Sequence, residues 1–255
     1  MVNTVRKSIM VLNTLAQNSG LATSELARLL ELPKSSVHNI LTTLESERLV
    51  ERNPETGKFH LGVKLISLGH RAQESLDIAR IARPVLGRLN EETDETVHLT
   101  VLDEDEVLYV DCIESTKRLR TYSVIGVRAP LYCTSVGKAI LAFQSNEYVN
   151  GYLRVRHLQA FTEHTLTDPD RIRAELARVR SDGYAVDNME HEDHIRCIGA
   201  PIRSAAGKVF ASISVSGPSQ RIPAGTVPKI AASVVHAANT VSDRLGYHPG
   251  RERSV

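Results

Sequence analysis

One short stretch of the sequence combines an apolar helix face with a face of small hydrogen-bonding side chains. Within residues 34–44, Val37, Ile40, Leu41 and Leu44 recur at spacings of three and four. Such a helix suits the major groove, which admits one helix and offers base edges and phosphates to hydroxyl and amide groups. We therefore predict DNA binding, with a three-helix protein-interaction module as the alternative. The predicted contacts are Lys34, Ser35, Ser36, His38, Asn39, Thr42 and Thr43.

Two cations follow in a predicted hairpin. Residues 49–52 and 59–61 have the pattern of short strands, and the turn formers Asn53, Pro54 and Gly57 lie between them. Arg52 and Lys58 flank this turn, so they can reach an adjacent groove or the phosphate backbone, where cations gain from counterion release. We add both residues to the predicted DNA contacts.

A second group of reactive side chains is dense in His, Asp and Glu and lies between residues 187 and 194. His191 and His194, among four carboxylates, offer ligands for a divalent metal or a response to pH. The spacing H-x-x-H fits a helix or a turn, but the sequence fixes no further His or Cys partner. We therefore prefer a polar loop at the rim of a pocket and predict no metal. His98, inside a predicted strand, could join such a site or be a core residue, and we favour the core.

The start of a predicted helix at residues 135–143 offers an anion site. The backbone N–H groups of Ser135 and Val136 suit a carboxylate or a phosphate, although Ser135 serves equally well as a simple helix cap. The pair Gly137 and Lys138 lacks the GxxxxGK[ST] pattern, so nucleotide hydrolysis is excluded. No cofactor is predicted.

The cysteines leave an enzyme as an alternative. Cys112, Cys133 and Cys197 are widely separated and show no CxxC spacing, so we expect reduced thiols rather than a disulfide framework or a zinc finger. A Cys-dependent hydrolase would use Cys133 or Cys197 with His191 or His194. No G-x-S-x-G elbow or local catalytic Cys signature supports it, so we predict that the chain is not an enzyme.

Length and composition set the frame for these groups. The chain has 255 residues, 42% hydrophobic and 24% charged, which is typical of an ordinary globular protein with two domains. No apolar run reaches the roughly 20 residues of a membrane span and the N-terminus lacks a signal peptide, so a cytoplasmic protein without membrane contact is expected. Residues 1–71 carry nine Lys and Arg against six Asp and Glu, which is compatible with nucleic-acid binding.

The elements that position the DNA contacts follow the order of a winged helix-turn-helix. A first amphipathic helix is predicted over residues 4–17, with Val5, Ile9, Val11, Leu12 and Leu15 as its apolar residues. Thr23 or Ser24 is expected to cap a short second helix that stops before Pro33. The helix over residues 34–44 and the hairpin complete the order.

The remaining elements predict an antiparallel sheet flanked by helices. A helical stretch over residues 63–92 is interrupted by Gly69 and Pro84, and alternating residues at 96–102 and 107–112 form a hairpin. A third strand is predicted at 119–124, a helix at 135–143, and a further helix after the cap Asp168. Strands at 195–202 and 209–216 and a helix at 224–245 complete the domain.

Four ordered motifs carry a family resemblance. They are LPKSSV at residues 32–37, PLYCTSVGKA at 130–139, RCIGAP at 196–201 and SVSGP at 214–218. The chain resembles IclR-type transcriptional regulators over nearly its whole length, and residues 184–192 are most similar to the KdgR-like branch that controls sugar-acid catabolism. Two positions depart from the family pattern. Asn39 stands where many members have Arg, and His194 stands where Gly is common.

The resemblance implies a winged-helix domain, a GAF-like effector domain, and a homodimer, often paired into a tetramer, on palindromic operator DNA. It also implies effector contacts at Ser135, Val136, Asp187, Cys197, Ser214 and Ser216, to which we add His191. These groups can orient a small acid, such as a sugar acid, a 2-keto acid or an aromatic acid, through hydrogen bonds. A DNA-tethered adaptor without a ligand is a further alternative.

The sequence thus predicts an α+β protein. We expect a winged helix-turn-helix at residues 1–62, a linker helix at 63–80, an effector domain at 81–250 and a tail at 251–255. The function predicted for it is a regulator whose operator binding responds to a small acid.

Overall fold

A computed structural model describes residues 3–18, 20–75, 77–121 and 125–248. The chain divides into two compact units, residues 1–75 and 76–255. Part of the third strand predicted at 119–124 and the whole tail predicted at 251–255 lie outside the described residues. Among the described helices, none is long and apolar enough to cross a membrane.

The first unit has the predicted order of helices followed by a hairpin. Its elements are α1 (Asn3–Gln17), α2 (Thr23–Leu29), α3 (Lys34–Ser46), β1 (Val50–Arg52), β2 (Phe59–Leu61) and α4 (Lys64–Ser75). The two strands pair antiparallel, and Leu21 extends them through backbone hydrogen bonds with Phe59. Val11, Leu26, Val37 and Leu41 are fully buried between the helices, so α3 is held by its apolar face.

Two details of this unit differ from the sequence prediction. The residue before α2 is Ala22, not Thr23 or Ser24, and its backbone N–H donates to the Glu25 carboxylate at 2.7 Å. A carboxylate in the first helical turn satisfies this backbone donor, so no hydroxyl cap is needed. Val5 and Ile9 do not join the core but are 56% and 52% exposed on α1.

The second unit is one six-stranded antiparallel sheet with helices on both faces. The strands are β3 (Thr96–Asp103), β4 (Glu106–Ile113), β5 (Arg128–Pro130), β6 (Ala185–Asn188), β7 (Ile195–Arg203) and β8 (Val209–Pro218). Their spatial order is β5-β4-β3-β8-β7-β6. The helices are α5 (Asp77–Thr93), α6 (Ser135–Leu141), α7 (Asn146–Val155), α8 (Pro169–Asp182) and α9 (Val227–Arg244), with a 3₁₀ turn at Ala224–Thr226 before α9.

The two faces of the central strands differ in chemistry because side chains alternate along a strand. On one face, aliphatic residues such as Leu99, Ile198 and Ile213 are fully buried against α5 and α9. On the other face, the short polar residues of β3 and β8 pair in register across the strands. These pairs are Thr96 with Ser216, His98 with Ser214 and Thr100 with Ser212. The start of α6 covers this polar face.

Several predicted elements of the second unit are corrected. Residues 119–121 form no strand, and the third strand of this edge is β5, which begins nine residues after the predicted start. Pro84 does not interrupt its helix, because α5 continues through it and buries Ala82, Val85 and Leu86 against the sheet. That burial outweighs one lost backbone hydrogen bond. The helix α7 and the edge strand β6 were not predicted.

Candidate functional site

The polar face of α3 is exposed along its length. Val37, Ile40, Leu41 and Leu44 are buried, and the opposite face carries the side chains predicted to contact DNA. Lys34, Ser35, His38, Asn39, Thr42 and Thr43 are exposed and Ser36 is half-buried. The Thr42 hydroxyl donates to the His38 carbonyl at 3.0 Å, and the Thr43 hydroxyl donates to the Asn39 carbonyl at 3.1 Å. Both hydroxyl oxygens keep acceptor capacity on this face.

The hairpin turn presents the two predicted cations. The Asn53 side-chain oxygen accepts the backbone N–H groups of Glu55 and Thr56 at 2.9 and 3.0 Å, which shapes the turn. The Arg52 guanidinium lies 5.8 Å from the centre of the Phe59 ring. Arg52 and Lys58 are both exposed.

The second unit contains a cavity of about 190 Å³ between the first turn of α6 and the polar face of the sheet. The structure brings all seven residues of the predicted effector set to its wall. They are Ser135, Val136, Asp187, His191, Cys197, Ser214 and Ser216. Residues from four separate segments of the chain therefore meet around one space.

Two local features place the start of α6 over the sheet. Thr134, not Ser135, caps the helix: its hydroxyl accepts the Gly137 N–H at 3.0 Å and donates to the Pro130 carbonyl at 2.7 Å. Beneath the helix lies Gly199 of β7, where an added Cβ would lie 2.8 Å from the backbone carbon of Ser135. Only glycine permits this approach, so the backbone of Ser135 and Val136 reaches the cavity wall.

Short side chains form the floor of the cavity. The Cys197 thiol and the Ser216 hydroxyl are 2.9 Å apart on neighbouring strands. The Ser214 hydroxyl lies 3.4 Å from Nδ1 of His98. These groups supply hydroxyl, thiol and imidazole partners for a polar ligand.

Asp187 is the buried acidic group of the wall. Its Oδ1 accepts the backbone N–H groups of Glu190 and His191 at 2.8 and 3.4 Å, which fixes the loop after β6. Burial raises the pKa of Asp187 to about 7, against the lowering effect of these hydrogen bonds and of Lys138. This carboxyl group therefore titrates near neutral pH.

Burial drives the imidazole and thiol groups in and beside the cavity toward their neutral forms. Burial lowers the pKa of His98 to about 4 and also lowers the pKa of His191. Burial raises the pKa of the Cys197 and Cys133 thiols above the ordinary range. A thiol is a poor nucleophile unless it ionises, so this environment argues against a Cys-dependent hydrolase.

A buried ion network lies behind the wall. Lys138, on α6, is fully buried, and its Nζ pairs with the Glu190 carboxylate and lies 3.5 Å from Glu175 of α8. Glu175 also pairs with Arg178 at 2.8 Å. The network ties the loop after β6 to α6, and the sequence analysis assigned no role to Lys138.

The sequence analysis missed several residues of the wall. His98 was interpreted as core, yet it is buried beside the cavity with its ring 5.2 Å from that of Tyr109. The polar alternation Thr96, His98, Thr100 was the signal that could have placed it there. Thr121 also lines the cavity, and its buried hydroxyl has no partner among the described residues. The other residues of the wall that were not predicted are Tyr109, Val127, Arg128, Ala129, Thr134, Glu192 and Ile195.

His194 has a backbone role. It adopts φ 62°, in the left-handed region that favours glycine, and its side chain is exposed and absent from the cavity wall. This conformation explains why a glycine is common here. Across the described residues, no three His, Cys, Asp or Glu side chains are arranged to hold a metal ion.

Known protein families match both units of the chain. Residues 4–54 match the "IclR helix-turn-helix domain", and residues 70–243 match "Bacterial transcriptional regulator IclR C-terminal". The HTH-type transcriptional regulator KdgR of Escherichia coli is 35% identical over 247 residues, covering 97% of this chain and 94% of KdgR. The transcriptional repressor IclR of the same organism is 34% identical over 248 residues, covering 96% and 90%.

A solved structure extends the similarity to the fold. It is an IclR homologue from Microbacterium hydrocarbonoxydans in complex with 4-hydroxybenzoate, 26% identical, with a TM-score of 0.82. The match covers 95% of this chain and 99% of that one. These relatives are named as regulators, a repressor and a family homologue, and none of them is named as an enzyme.

Proposed function

The chain belongs to the IclR family of bacterial transcriptional regulators, and we propose that it binds operator DNA under the control of a small organic acid. The observation that carries this proposal is the cavity, in which hydrogen-bonding groups from four segments converge on a space of about 190 Å³. Ligand pockets span roughly 300–1,000 Å³, so this volume favours a small ligand. The acid would be a sugar acid, a 2-keto acid or an aromatic acid.

The proposed ligand class rests on the donors at the wall. The first N–H groups of a helix have no acceptor within the helix, and those of Ser135 and Val136 lie at the cavity. The hydroxyls of Ser214 and Ser216 add donors from the floor. The homologue bound to 4-hydroxybenzoate shows that a member of this family accommodates an aromatic acid. KdgR and IclR are almost equally similar to this chain, so identity alone does not favour one acid over another.

DNA binding is proposed for residues 1–62 and effector binding for residues 81–250, joined by residues 63–80. The helix α3 would enter the major groove with Asn39 toward base edges, while Arg52 and Lys58 of the hairpin contact phosphates. Because one relative is named as a repressor, we propose that this chain also represses transcription. Because the proposed partner is operator DNA, we also propose a cytoplasmic location.

Self-association is proposed from exposed apolar side chains. In the first unit, α1 exposes Val5 and Ile9, and the start of α4 exposes Ile66 at 74% and Leu68 at 47%. Apolar groups clustered on a surface are typical of an interaction site. A homodimer, or a pair of dimers, would bury them and match a palindromic operator.

Fluorescence anisotropy tests the proposal. DNA from upstream of the chain's own gene is titrated with protein at several salt concentrations, with and without gluconate, pyruvate or 4-hydroxybenzoate. We expect binding with a steep salt dependence, and one acid should change the affinity. Since effector and operator affinities are linked, operator DNA must change the affinity for that acid by the same factor.

Three controls sharpen the experiment. Ser216→Ala removes a cavity hydroxyl, and Ser219→Ala removes a hydroxyl from a nearby residue that does not line the cavity. Only the first should weaken the response to the acid. Scrambled DNA reports non-specific binding. If DNA binds specifically but no acid alters it, a DNA-tethered adaptor replaces the ligand-responsive regulator. If no fragment binds at low salt, the assignment of residues 1–62 is wrong.

A further inference from the structure

The cavity proposed for an acid has little positive charge to receive one. Its described wall contains two carboxylates, Asp187 and Glu192, and one permanently cationic side chain, Arg128. The Arg128 guanidinium is already engaged, because it donates to the backbone carbonyl of Asp103 at 3.1 Å and pairs with the Asp103 carboxylate. An anion entering this space therefore lacks an available counter-ion among the described residues.

The buried lysine behind the wall does not supply one either. Lys138 pairs with Glu190 and Glu175, and Arg178 pairs with Glu175 and Asp182. Two cations thus face three carboxylates in this network before Asp187 is counted. Like charges brought into one poorly solvated site raise the cost of ionising either of them.

Asp187 has the geometry to resolve this conflict. Its Oδ1 is occupied by two backbone N–H groups, while its Oδ2 has no hydrogen-bond partner among the described residues. When Asp187 is protonated, its Oδ2 becomes a hydrogen-bond donor. The other groups that this wall offers to an acid are neutral hydroxyl, thiol, imidazole and backbone groups.

We propose that the acid effector binds together with one proton, which Asp187 Oδ2 shares with the effector carboxylate. This inference rests on the proposed function. The proton comes from solvent or buffer and returns there when the effector leaves, so no other bond is made or broken.

The buried groups that face Asp187 from the neighbouring strands keep one protonation state near neutral pH. From β7 and from the segment before α6, the Cys197 and Cys133 thiols stay protonated, because burial raises the pKa of each. From β4, burial likewise raises the pKa of Tyr109 beyond the neutral range. From β3, His98 stays neutral because burial lowers its pKa. Lys138 of α6 pairs with Glu190 in the ion network.

The loop after β6 holds the remaining titratable neighbours. Glu190 is paired with Lys138, and Glu192 is exposed at the rim of the cavity. His191 is the rival site for the proton, because it lines the wall and burial lowers its pKa. An anion nearby would favour its charged form, so the experiment must separate His191 from Asp187.

The expected pH dependence follows from the sign of the shift. Burial raises the pKa of Asp187 to about 7, and a second carboxylate beside it raises that pKa further. Near pH 6 Asp187 already holds its proton, so binding takes up little. Above pH 7 binding must recruit the proton, and the apparent Kd should rise about tenfold per pH unit.

Isothermal titration calorimetry measures both quantities on the full-length wild-type protein. Gluconate, pyruvate and 4-hydroxybenzoate are titrated at pH 6.0, 7.0, 8.0 and 8.5, each in buffers of different ionisation enthalpy. The slope of the observed enthalpy against the buffer enthalpy gives the number of protons taken up. We expect a value near zero at pH 6.0 that approaches one at pH 8.5, with an apparent Kd about 30-fold higher at pH 8.5 than at pH 6.0.

Variants assign the proton. Asp187→Asn keeps an Oδ1 acceptor and replaces the protonated Oδ2 by a permanent N–H donor. It should bind the acid without proton uptake and with a Kd that does not change from pH 6.0 to 8.5. His191→Gln and His98→Gln should retain the uptake. If a variant does not fold, the wild-type pH profile still separates the two groups, because uptake at Asp187 sets in near pH 7, whereas burial lowers the pKa of His191 and uptake there would already be present at lower pH.

The possible outcomes distinguish a failure of the shared-proton inference from a failure of the proposed acid-responsive regulator. An acid that binds wild-type protein with no proton uptake at pH 8.5 overturns the shared proton and leaves the acid-responsive regulator intact. Uptake that persists in Asp187→Asn and disappears in His191→Gln overturns the assignment to Asp187. If none of the three acids binds even at pH 6.0, the acid-effector proposal and the inference fall together.

Discussion

Replacing Lys138 by Met should destabilise the second unit by about 3–5 kcal/mol at pH 8. The methionine side chain is similar in length, but it leaves the Glu190 carboxylate, which is 7% exposed, without its counter-ion. Breaking a buried ion pair by removing one partner costs roughly this amount, because the remaining charge is desolvated and unpaired. Glu175 contributes less to the loss, since it keeps Arg178.

The pH dependence of this loss is part of the prediction. Burial already raises the pKa of Glu190 despite Lys138, and the substitution removes the opposing cation. In the variant, Glu190 thus has a folded pKa above its unfolded value. Its stabilising contribution is complete at low pH and is lost as pH rises through the folded pKa. The destabilisation should therefore be smaller, by about 1–2 kcal/mol, at pH 5.5 than at pH 8.

Urea unfolding followed by tyrosine fluorescence measures the effect in the correct unit. The chain has no Trp, and its seven Tyr residues all lie between positions 109 and 247. Lys208→Met, at an exposed position, is the matched control and should change stability by less than about 0.5 kcal/mol. The double variant Lys138→Met/Glu190→Gln should recover part of the loss. A single variant within about 1 kcal/mol of wild type at pH 8, or a double variant no better than the single, would refute the reasoning.

Three further predictions address the sites. In urea unfolding, Asp187→Asn should be up to about 4 kcal/mol more stable than wild type at pH 8 and about as stable as wild type at pH 4. The reason is that the pKa of Asp187 is raised in the folded state, so its stabilising contribution disappears as pH rises toward 7. Asn39→Ala should relax base preference at one operator position by about 1–3 kcal/mol in competition binding, whereas Lys58→Ala should weaken all sequences similarly and flatten the salt dependence; an unchanged preference in Asn39→Ala contradicts its placement. Gly199→Ala should cost roughly 1–3 kcal/mol and abolish acid binding in calorimetry, since its Cβ would collide with Ser135.

The elements that could be predicted from sequence are those with a regular pattern of their own. The helix α3 was found from its apolar period, and β7 and β8 were predicted with bounds close to those observed. The edge strand β5 has only three residues, too few to show a period, so the prediction moved the strand to residues 119–124. Its pairing with β4, not a local preference, makes this segment a strand.

The cavity shows a different limit. Ser135, Asp187 and Ser216 were identified through the family resemblance, and their convergence depends on sheet order, which no local pattern contains. In the sequence, Lys138 was considered only as part of a GxxxxGK[ST] nucleotide-binding pattern, which the chain does not have at this position. Its partners Glu175 and Glu190 lie 37 and 52 residues away, so their pairing follows from the packing of α6 and α8 on the sheet.

The cavity exists because the two faces of one sheet are filled differently. Against α5 and α9, residues such as Leu99 and Ile213 occupy the space between layers. Against α6, Gly199 and short side chains such as Ser214 bring the helix close at one point and leave volume beside it. A dry apolar void would cost free energy through lost contacts, whereas a void lined by hydroxyls and backbone N–H groups can hold water or a ligand. The alternating polar side chains of β3 and β8 therefore lower the free-energy cost of the open space beneath α6. These side chains include the proposed ligand-binding groups Ser214 and Ser216.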